Sequence, residues 1–173
     1  SGSGADQWTL KRSSEYWRVT GDLKAPANVS AIASLDGTGF LIGSDDLTIA
    51  QYGAIDRDGK TLEVMENVTL IGSKDDDEVD IEGIAADPVN KVYYVTGSHS
   101  LTKKGNMNKE RRSVFRVGTS ASGRPIRKVK DESLRKLIQR DTVLREFWEK
   151  PQQQGGVNIE GLAWKDGSLF FGF

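Results

Sequence analysis

The chain has 173 residues, the usual size of a single domain. Its 24 lysine and arginine residues balance 25 aspartate and glutamate residues, so no global positive charge is present to hold nucleic acid or an anionic membrane. Cysteine is absent, which excludes disulfides, thiolate catalysis and cysteine-ligated metal centres. No apolar run reaches the roughly 18 residues of a membrane-spanning helix, and no signal-peptide pattern is visible. We therefore expect no nucleic-acid or membrane partner, and the compartment stays open between cytoplasm, periplasm and exterior.

The N-terminal segment begins with Ser1-Gly2-Ser3-Gly4 and carries no pattern of a packed element. We expect residues 1–14 to form a flexible segment, with the folded domain at residues 15–173.

Three later segments share one pattern, and they begin at Asn28, Asp80 and Asn158. Each has a short alternating strand, a tight turn of Asp, Asn or Gly residues, and a second apolar strand that ends near a glycine. Asp-Gly between two apolar runs is a strong hairpin signal. The spacing from Asn28 to Asp80 is close to the roughly 40–50 residues of a strand-built repeat, which is typical of a β-propeller blade.

The first two repeats can be completed as four-stranded blades. Blade 1 is predicted at about residues 28–71, with a third strand over Ile49–Ile55 and a fourth from Thr61 to Leu70. Blade 2 is predicted at about residues 79–130, with its fourth strand around Ile126–Val129. Residues 157–173 start a third blade. The predicted fold is therefore all-β, a β-propeller fragment of about two and a half blades with a short helical insertion.

The insertion is predicted at residues 131–150, because its apolar residues fall at helical spacing. Asp131 is a plausible N-cap and Pro151 a stop, and a second start at Asp141 would divide the segment into two short helices. The apolar face would consist of Leu134, Leu137, Ile138, Leu144, Phe147 and Trp148.

Two and a half blades cannot close a ring, and an open stack leaves apolar blade faces in water. We therefore expect the remainder of the propeller as the main partner, supplied by the same polypeptide or by another chain. The alternative is an ordinary antiparallel sheet or sandwich whose hairpins resemble one another.

Five stretches of the sequence together resemble a bacterial family of β-propeller proteins of unknown function. The resemblance covers most of residues 28–173, and more distantly it extends to the esterase-like phytase propellers and to the six-bladed strictosidine-synthase and paraoxonase group. It implies a propeller fold, and it implies no settled activity. The stretches that carry it are Glu78–Ala85, Tyr94–Ser100, Arg112–Arg116, Gly155–Ala163 and Gly167–Phe173.

Polar residues at the repeat starts are the first candidate site. Side chains at i and i+2 of a strand share a face, so Asp80 points with Glu82, and Asn158 points with Glu160. On the innermost strands these oxygens would surround the propeller axis, where they suit Ca²⁺ or another divalent cation. The resemblance to metal-dependent propellers implies the same ligand types. We expect no organic cofactor.

The first repeat departs from this pattern, since Ser30 stands where the other two repeats have glutamate, although Asn28 keeps the polar position and is a binding candidate. A second interpretation of Glu82 and Glu160 is structural. Carboxylates at the inner edge of a blade can accept hydrogen bonds from the next blade and hold the two together.

His99 is the single histidine, and it lies in Gly97-Ser98-His99-Ser100. It is a candidate general base or metal ligand. Because equivalent strand ends share a rim, Asp45 and Ser98 become binding candidates beside it. The nucleophile pattern Gly-x-Ser-x-Gly is missing from the sequence.

A basic stretch from Lys103 to Arg112 is predicted to be a solvated loop, with contact to an anion as the alternative.

Two functional hypotheses follow. In the first, the propeller binds a small molecule or hydrolyses an ester or phosphoester with a metal ion, and His99, Glu82 and Glu160 are the catalytic residues. In the second, the propeller is a non-catalytic scaffold that binds a protein partner through its rim loops.

Overall fold

The computed structural model describes residues 9, 16–72, 78–102 and 104–173. The segment 1–14, expected to be flexible, lies outside the described residues except for Thr9. Within the described part, no helix has both the length and the apolar character needed to cross a membrane.

Blade 1 is a sheet of five strands in the order β1-β5-β4-β3-β2. Strands β2 to β5 form an antiparallel meander, while β1 lies parallel to β5 on the outer edge. The strands are β1 (Arg18–Gly21), β2 (Val29–Ser34), β3 (Gly39–Ser44), β4 (Ile49–Ile55) and β5 (Thr61–Thr69).

The hairpin turns of blade 1 follow from their Asp-Gly sequences. Oδ1 of Asp36 accepts hydrogen bonds from the backbone N–H groups of Thr38 and Gly39 at 2.8 and 2.9 Å. Oδ1 of Asp58 accepts two further backbone N–H bonds in the β4–β5 turn. Such side-chain bonds close a tight turn locally, which is why these turns could be predicted from sequence.

Blade 2 is an antiparallel meander in the order β6-β7-β8-β9. Its last strand contains Ile126–Val129, so the predicted place of the fourth strand is confirmed, but the strand extends as far as Glu132. The strands are β6 (Ile81–Asp87), β7 (Val92–Gly97), β8 (Val114–Thr119) and β9 (Pro125–Glu132).

The third repeat is a single antiparallel hairpin of β10 (Gly161–Lys165) and β11 (Ser168–Gly172). Its two turn residues, Asp166 and Gly167, both have positive φ, 50° and 80°. A two-residue hairpin turn of type I′ needs this conformation.

The three sheets are arranged as neighbouring propeller blades. The first strands β2 and β10 both lie against β6, so the inner strands of the three repeats pack side by side. The chain is thus a propeller fragment of two blades and the inner hairpin of a third.

Glycines allow the blades to approach closely where these inner strands meet. A Cβ on Gly83 would lie 2.6 Å from Cβ of Leu162 in the third hairpin. A Cβ on Gly43 would lie 2.6 Å from Cγ2 of Ile81, between blades 1 and 2. The main core fills the space between blades 1 and 2, and its largest fully buried members are Leu41, Ile81, Tyr93 and Phe115.

The insertion differs from the predicted helix over residues 131–150. Asp131 pairs with Phe115 in the β8–β9 ladder and is not an N-cap, because continued strand pairing satisfies its backbone. The helix α1 spans only Arg135–Arg140.

The alternative division of the segment at Asp141 is confirmed, but the second helix begins at Leu144. Oδ1 of Asp141 accepts the backbone N–H groups of Val143 and Leu144, both at 2.9 Å, and a 3-10 helix follows over Leu144–Phe147. Most of the predicted apolar face packs inward around Ile138, Trp148 and Val157. Leu137 is the exception, at 68% exposed.

Candidate functional site

A cleft of about 590 Å³ lies where β3 ends and where β6 and β10 begin. Carboxylates supply much of its wall, together with amides and two cationic side chains, Arg111 and Lys104. Its acidic residues are Asp45, Asp46, Glu78, Asp80 and Glu82.

A β-bulge places Glu82 in this cleft. The β6–β7 register shifts between Ile81 and Gly83, which leaves Glu82 without a ladder partner. Blade 1 has the same bulge around Ser30 in β2. Bulges re-aim a side chain away from the regular sheet direction.

The two bulged residues, Ser30 and Glu82, make different contacts. The Ser30 hydroxyl donates a hydrogen bond to the backbone carbonyl of Ile81, so it links blade 1 to blade 2. Glu82 lines the cleft instead, and no described residue forms a hydrogen bond with its carboxylate. Ser30, which replaces the glutamate of the other repeats, therefore links blade 1 to blade 2, whereas Glu82 faces the cleft.

Burial and nearby negative charge raise the pKa of Glu82 to about 7. Loss of solvent around the half-buried carboxyl is the largest cause, followed by repulsion from Asp80, Glu160 and Asp45. Glu82 is thus poised to gain or lose a proton near neutral pH, which is the property of a general acid or base.

Asp80 precedes β6 with a left-handed backbone, φ 55°, a conformation that aspartate tolerates better than most residues. Burial raises the pKa of its carboxyl, and the negative charges of Asp45, Glu160 and Asp46 add to the rise. A hydrogen bond with the Ser98 hydroxyl acts in the opposite direction.

Arg111 is the counter-charge of this cluster. Its Nη1 lies 3.0 Å from Oδ2 of Asp80, and its Nη2 forms a second ion pair with Glu78. The residue comes from a one-turn 3-10 helix over Glu110–Arg112. It is the side chain that joins the long β7–β8 connection to the start of blade 2.

Blade 1 contributes two more carboxylates. Oδ1 of Asp45 is buried and has no hydrogen-bond partner among the described residues. Asp46 accepts a hydrogen bond from Nδ2 of Asn28, so Asn28 acts on the cleft through Asp46 and does not line it.

The third hairpin supplies Asn158 and Glu160 at the edge. Asn158 lines the cleft, and its Nδ2 donates to Oε1 of Glu160. Glu160 itself is exposed and lines a neighbouring pocket of about 300 Å³ with Phe147 and Phe173. It is still close enough to raise the pKa of Asp80 and Glu82.

His99 is not brought into the cleft. It is 0% exposed, its Nδ1 lies 3.1 Å from the carbonyl oxygen of Gly97, and its Nε2 accepts the N–H of Leu134 at 3.4 Å. This arrangement places the proton on Nδ1, and burial lowers the pKa of the ring to about 4. The histidine joins β7 to the insertion.

Ser98 is also buried behind the cleft. Its hydroxyl bonds with that of Ser100 at 2.8 Å, and its carbonyl accepts the N–H of Ile159 at 2.7 Å. Its backbone therefore connects blade 2 to the third hairpin, and its N–H donates to the carbonyl oxygen of Asp80 at 3.1 Å.

Across the described residues, no group of three or more histidine, aspartate or glutamate side chains has the spacing to hold a metal ion. The Arg111 guanidinium occupies the position between Glu78 and Asp80 that a cation would share. A calcium site at Asp80, Glu82, Asn158 and Glu160 stays a prediction.

Comparison with known proteins places the sequence in a family. Residues 28–121 and 119–173 match the family described as Protein of unknown function (DUF3616). The chain belongs to this family. No curated protein matches the sequence.

Among solved structures, the WD40 β-propeller domain of Doa1 is similar over 84% of this chain, with a TM-score of 0.44 and 11% sequence identity. The chain covers 34% of that structure. It therefore spans about a third of the length of the solved propeller that it matches.

In this DUF3616 chain, the sequence pattern predicts most of the carboxylates that line the cleft, but it does not predict Arg111. The basic stretch predicts a solvated loop for Arg111, whereas the structure has it half-buried against two carboxylates. One signal was available, since the dense acidic group Glu78-Val79-Asp80-Ile81-Glu82 favours a positive charge nearby.

Proposed function

We propose that the cleft binds a small, positively charged molecule. The observation that carries this proposal is the excess of carboxylates. Among the described residues, five acidic side chains line the cleft against Arg111 and Lys104, and Arg111 already forms ion pairs with Glu78 and Asp80. A concave site that presents unpaired acceptors and negative charge favours a ligand with an ammonium group.

Asp45 supports the same ligand class. Its buried Oδ1 has no donor among the described residues, and an unfilled buried acceptor costs free energy until a donor arrives. An ammonium group offers three donors and one positive charge, so it would satisfy Asp45 and reduce the repulsion with Asp80.

The proposal extends to hydrolysis of an ester or phosphoester, with Glu82 as the general base. At a pKa near 7 its carboxylate can take a proton from a water molecule while that water's oxygen bonds to the carbonyl carbon or phosphorus of the substrate. The bond from that centre to the alcohol oxygen then breaks, and Glu82 returns the proton to the departing alcohol. No step of this scheme uses a metal ion. His99 has no part in it, because its ring is buried away from the cleft.

Binding is tested by NMR titration with 1,4-diaminobutane as the cationic probe, at constant ionic strength. We expect saturable shifts at Asp45, Asp80 and Glu82, and loss of binding in Glu82→Gln combined with Asp80→Asn. Glu63→Gln, an exposed position on β5, is the matched control and should bind like the parent protein. Absence of any saturable shift would contradict the proposal.

Two further experiments test metal binding and hydrolysis separately. Calcium chloride should raise the melting temperature only if the predicted metal site forms, and Glu82→Gln or Glu160→Gln should then abolish the rise. Turnover of p-nitrophenyl acetate or p-nitrophenyl phosphate that disappears in Glu82→Gln supports hydrolysis. No response in any arm favours the scaffold hypothesis.

The propeller remainder also stays a proposal. Val29 and Ile32 on β2 and Phe170 on β11 are exposed apolar residues at the two ends of the blade stack. We expect further blades, from the same polypeptide or another chain, to cover these ends.

A further inference from the structure

Arg111 and Arg112 are neighbours in sequence and belong to different sites. Arg111 enters the acidic cleft, whereas Arg112 is 5% exposed and packs against the helical insertion. The one-turn 3-10 helix that carries both residues explains the difference, because consecutive side chains on it point in different directions.

Arg112 is held by Trp148. Its guanidinium carbon lies 3.8 Å from the centroid of the Trp148 ring, a cation–π contact, and its Nη2 donates to the Trp148 carbonyl oxygen at 3.0 Å. Trp148 itself is 2% exposed. These contacts fix the orientation of the guanidinium.

Three buried donors of this pair have no acceptor. Nε and Nη1 of Arg112 and Nε1 of Trp148 are each buried without a hydrogen-bond partner in the described part of the chain. Within those same residues, no carboxylate forms an ion pair with Arg112. A buried guanidinium without a counter-charge is unfavourable, and the group that completes it must be an acceptor.

Arg112 and Trp148 both line a cavity of about 320 Å³. Lys109 and Arg135 add positive charge to its wall, and Ser113 and Ser133 add hydroxyl groups. Two carboxylates, Asp131 and Glu132, also line it and oppose an anion.

We propose that this cavity binds a small oxyanion, the phosphate or carboxylate group of a small molecule. Arg112 and the Trp148 indole N–H are its fixed donors, and Lys109 and Arg135 add attraction at the exposed rim. Arginine suits this role because its guanidinium keeps its charge and offers several N–H donors. The site is separate from the acidic cleft, and its ligand has the opposite charge.

The test follows the indole N–H signal of Trp148 by ¹H–¹⁵N NMR, with Trp148→Phe identifying that signal among the four tryptophans of the chain. Inorganic phosphate and sodium acetate are titrated separately, and sodium chloride at matched ionic strength is the control. We expect a saturable shift with phosphate, acetate or both, and the stronger of the two identifies the preferred oxyanion.

Surface variants keep the test independent of folding. Arg135→Gln should weaken binding at least several-fold, and Asp131→Asn should strengthen it by removing a repelling charge. Arg140→Gln, at the other end of α1 and outside the cavity, is the matched control and should leave binding unchanged.

Two results would overturn the proposal. One is a Trp148 signal that phosphate and acetate leave unmoved, or move no more than chloride does. The other is a phosphate affinity that is the same in Arg135→Gln as in the parent protein.

Discussion

The acidic cleft and the 320 Å³ cavity beside Trp148 contain adjacent arginines, and the two arginines make different contacts. Arg111 is half-buried and forms ion pairs with Glu78 and Asp80, whereas Arg112 is buried against an aromatic ring with no carboxylate partner among the described residues. The comparison teaches that a basic stretch in a sequence is not one surface. A single turn of chain divides it between the acidic cleft and the cavity beside Trp148.

The two regions also respond to pH in opposite directions. In the cleft, the pKa of Glu82 is raised, so its charged form is disfavoured in the folded protein. Near the insertion, the pKa of His99 is lowered, so its charged form is disfavoured there. Glu82 therefore lowers the free energy of unfolding as pH rises, and His99 lowers it as pH falls.

The largest expected effect comes from removing the buried Trp148 side chain, which tests the packing of the insertion. Trp148→Ala removes the largest buried side chain among the described residues and leaves Arg112 without its ring, so we expect a loss of about 3–5 kcal/mol in the free energy of unfolding. Denaturant unfolding measures it. Trp17→Ala, at a position 51% exposed, is the control and should cost far less. Equal losses in the two variants would show that the insertion is not a packed unit.

The second effect is the acid response of His99. Its folded pKa of about 4 lies below the ordinary 6.5, so the unfolded chain binds the extra proton first. Stability should fall by up to about 3 kcal/mol as pH drops from about 6.5 to about 4. His99→Gln should have a flatter profile over that window. Identical slopes for the variant and the parent protein would mean that the ring is not held neutral.

The third effect is the opposite response of Glu82. Its folded pKa of about 7 exceeds the ordinary 4.5, so the folded protein binds the proton more tightly and stability falls as pH rises between those values. Because the carboxyl is only half-buried, solvent screening reduces the expected difference to about 1 kcal/mol. Glu82→Gln should be more stable than the parent protein at pH 8, by thermal unfolding, and Glu63→Gln should not.

The smallest effect concerns the break in the insertion. Asp141→Ala removes the oxygen that accepts the N–H groups of Val143 and Leu144 and should lower the melting temperature slightly. Asp141→Asn keeps an acceptor oxygen and should restore most of the loss. A similar drop in both variants would assign the effect to charge and not to these two hydrogen bonds.

Strands and turns could be predicted well because their signals are local. Ile49–Ile55 is an apolar run between turn residues, and the structure has β4 over the same seven residues. The Asp36 and Asp58 turns close through side-chain bonds to residues two or three positions away. Information of this kind is contained in a short window of sequence.

The elements that could not be predicted depend on distant partners. Strand β1 over Arg18–Gly21 has a mixed sequence and exists through its pairing with β5, far along the chain. Asp131 has the type of an N-cap, yet its pairing with Phe115 continues the sheet. The functions of Arg111 and Arg112 likewise follow from packing against Asp80 and Trp148.

The most direct test of the account is the pKa of the Glu82 side chain, measured by following its carboxyl carbon with ¹³C NMR across pH. Burial and the surrounding carboxylates predict a midpoint near pH 7. A midpoint near the ordinary 4.5 would contradict it, because it would mean that the carboxyl is fully solvated and does not face a crowded acidic cleft.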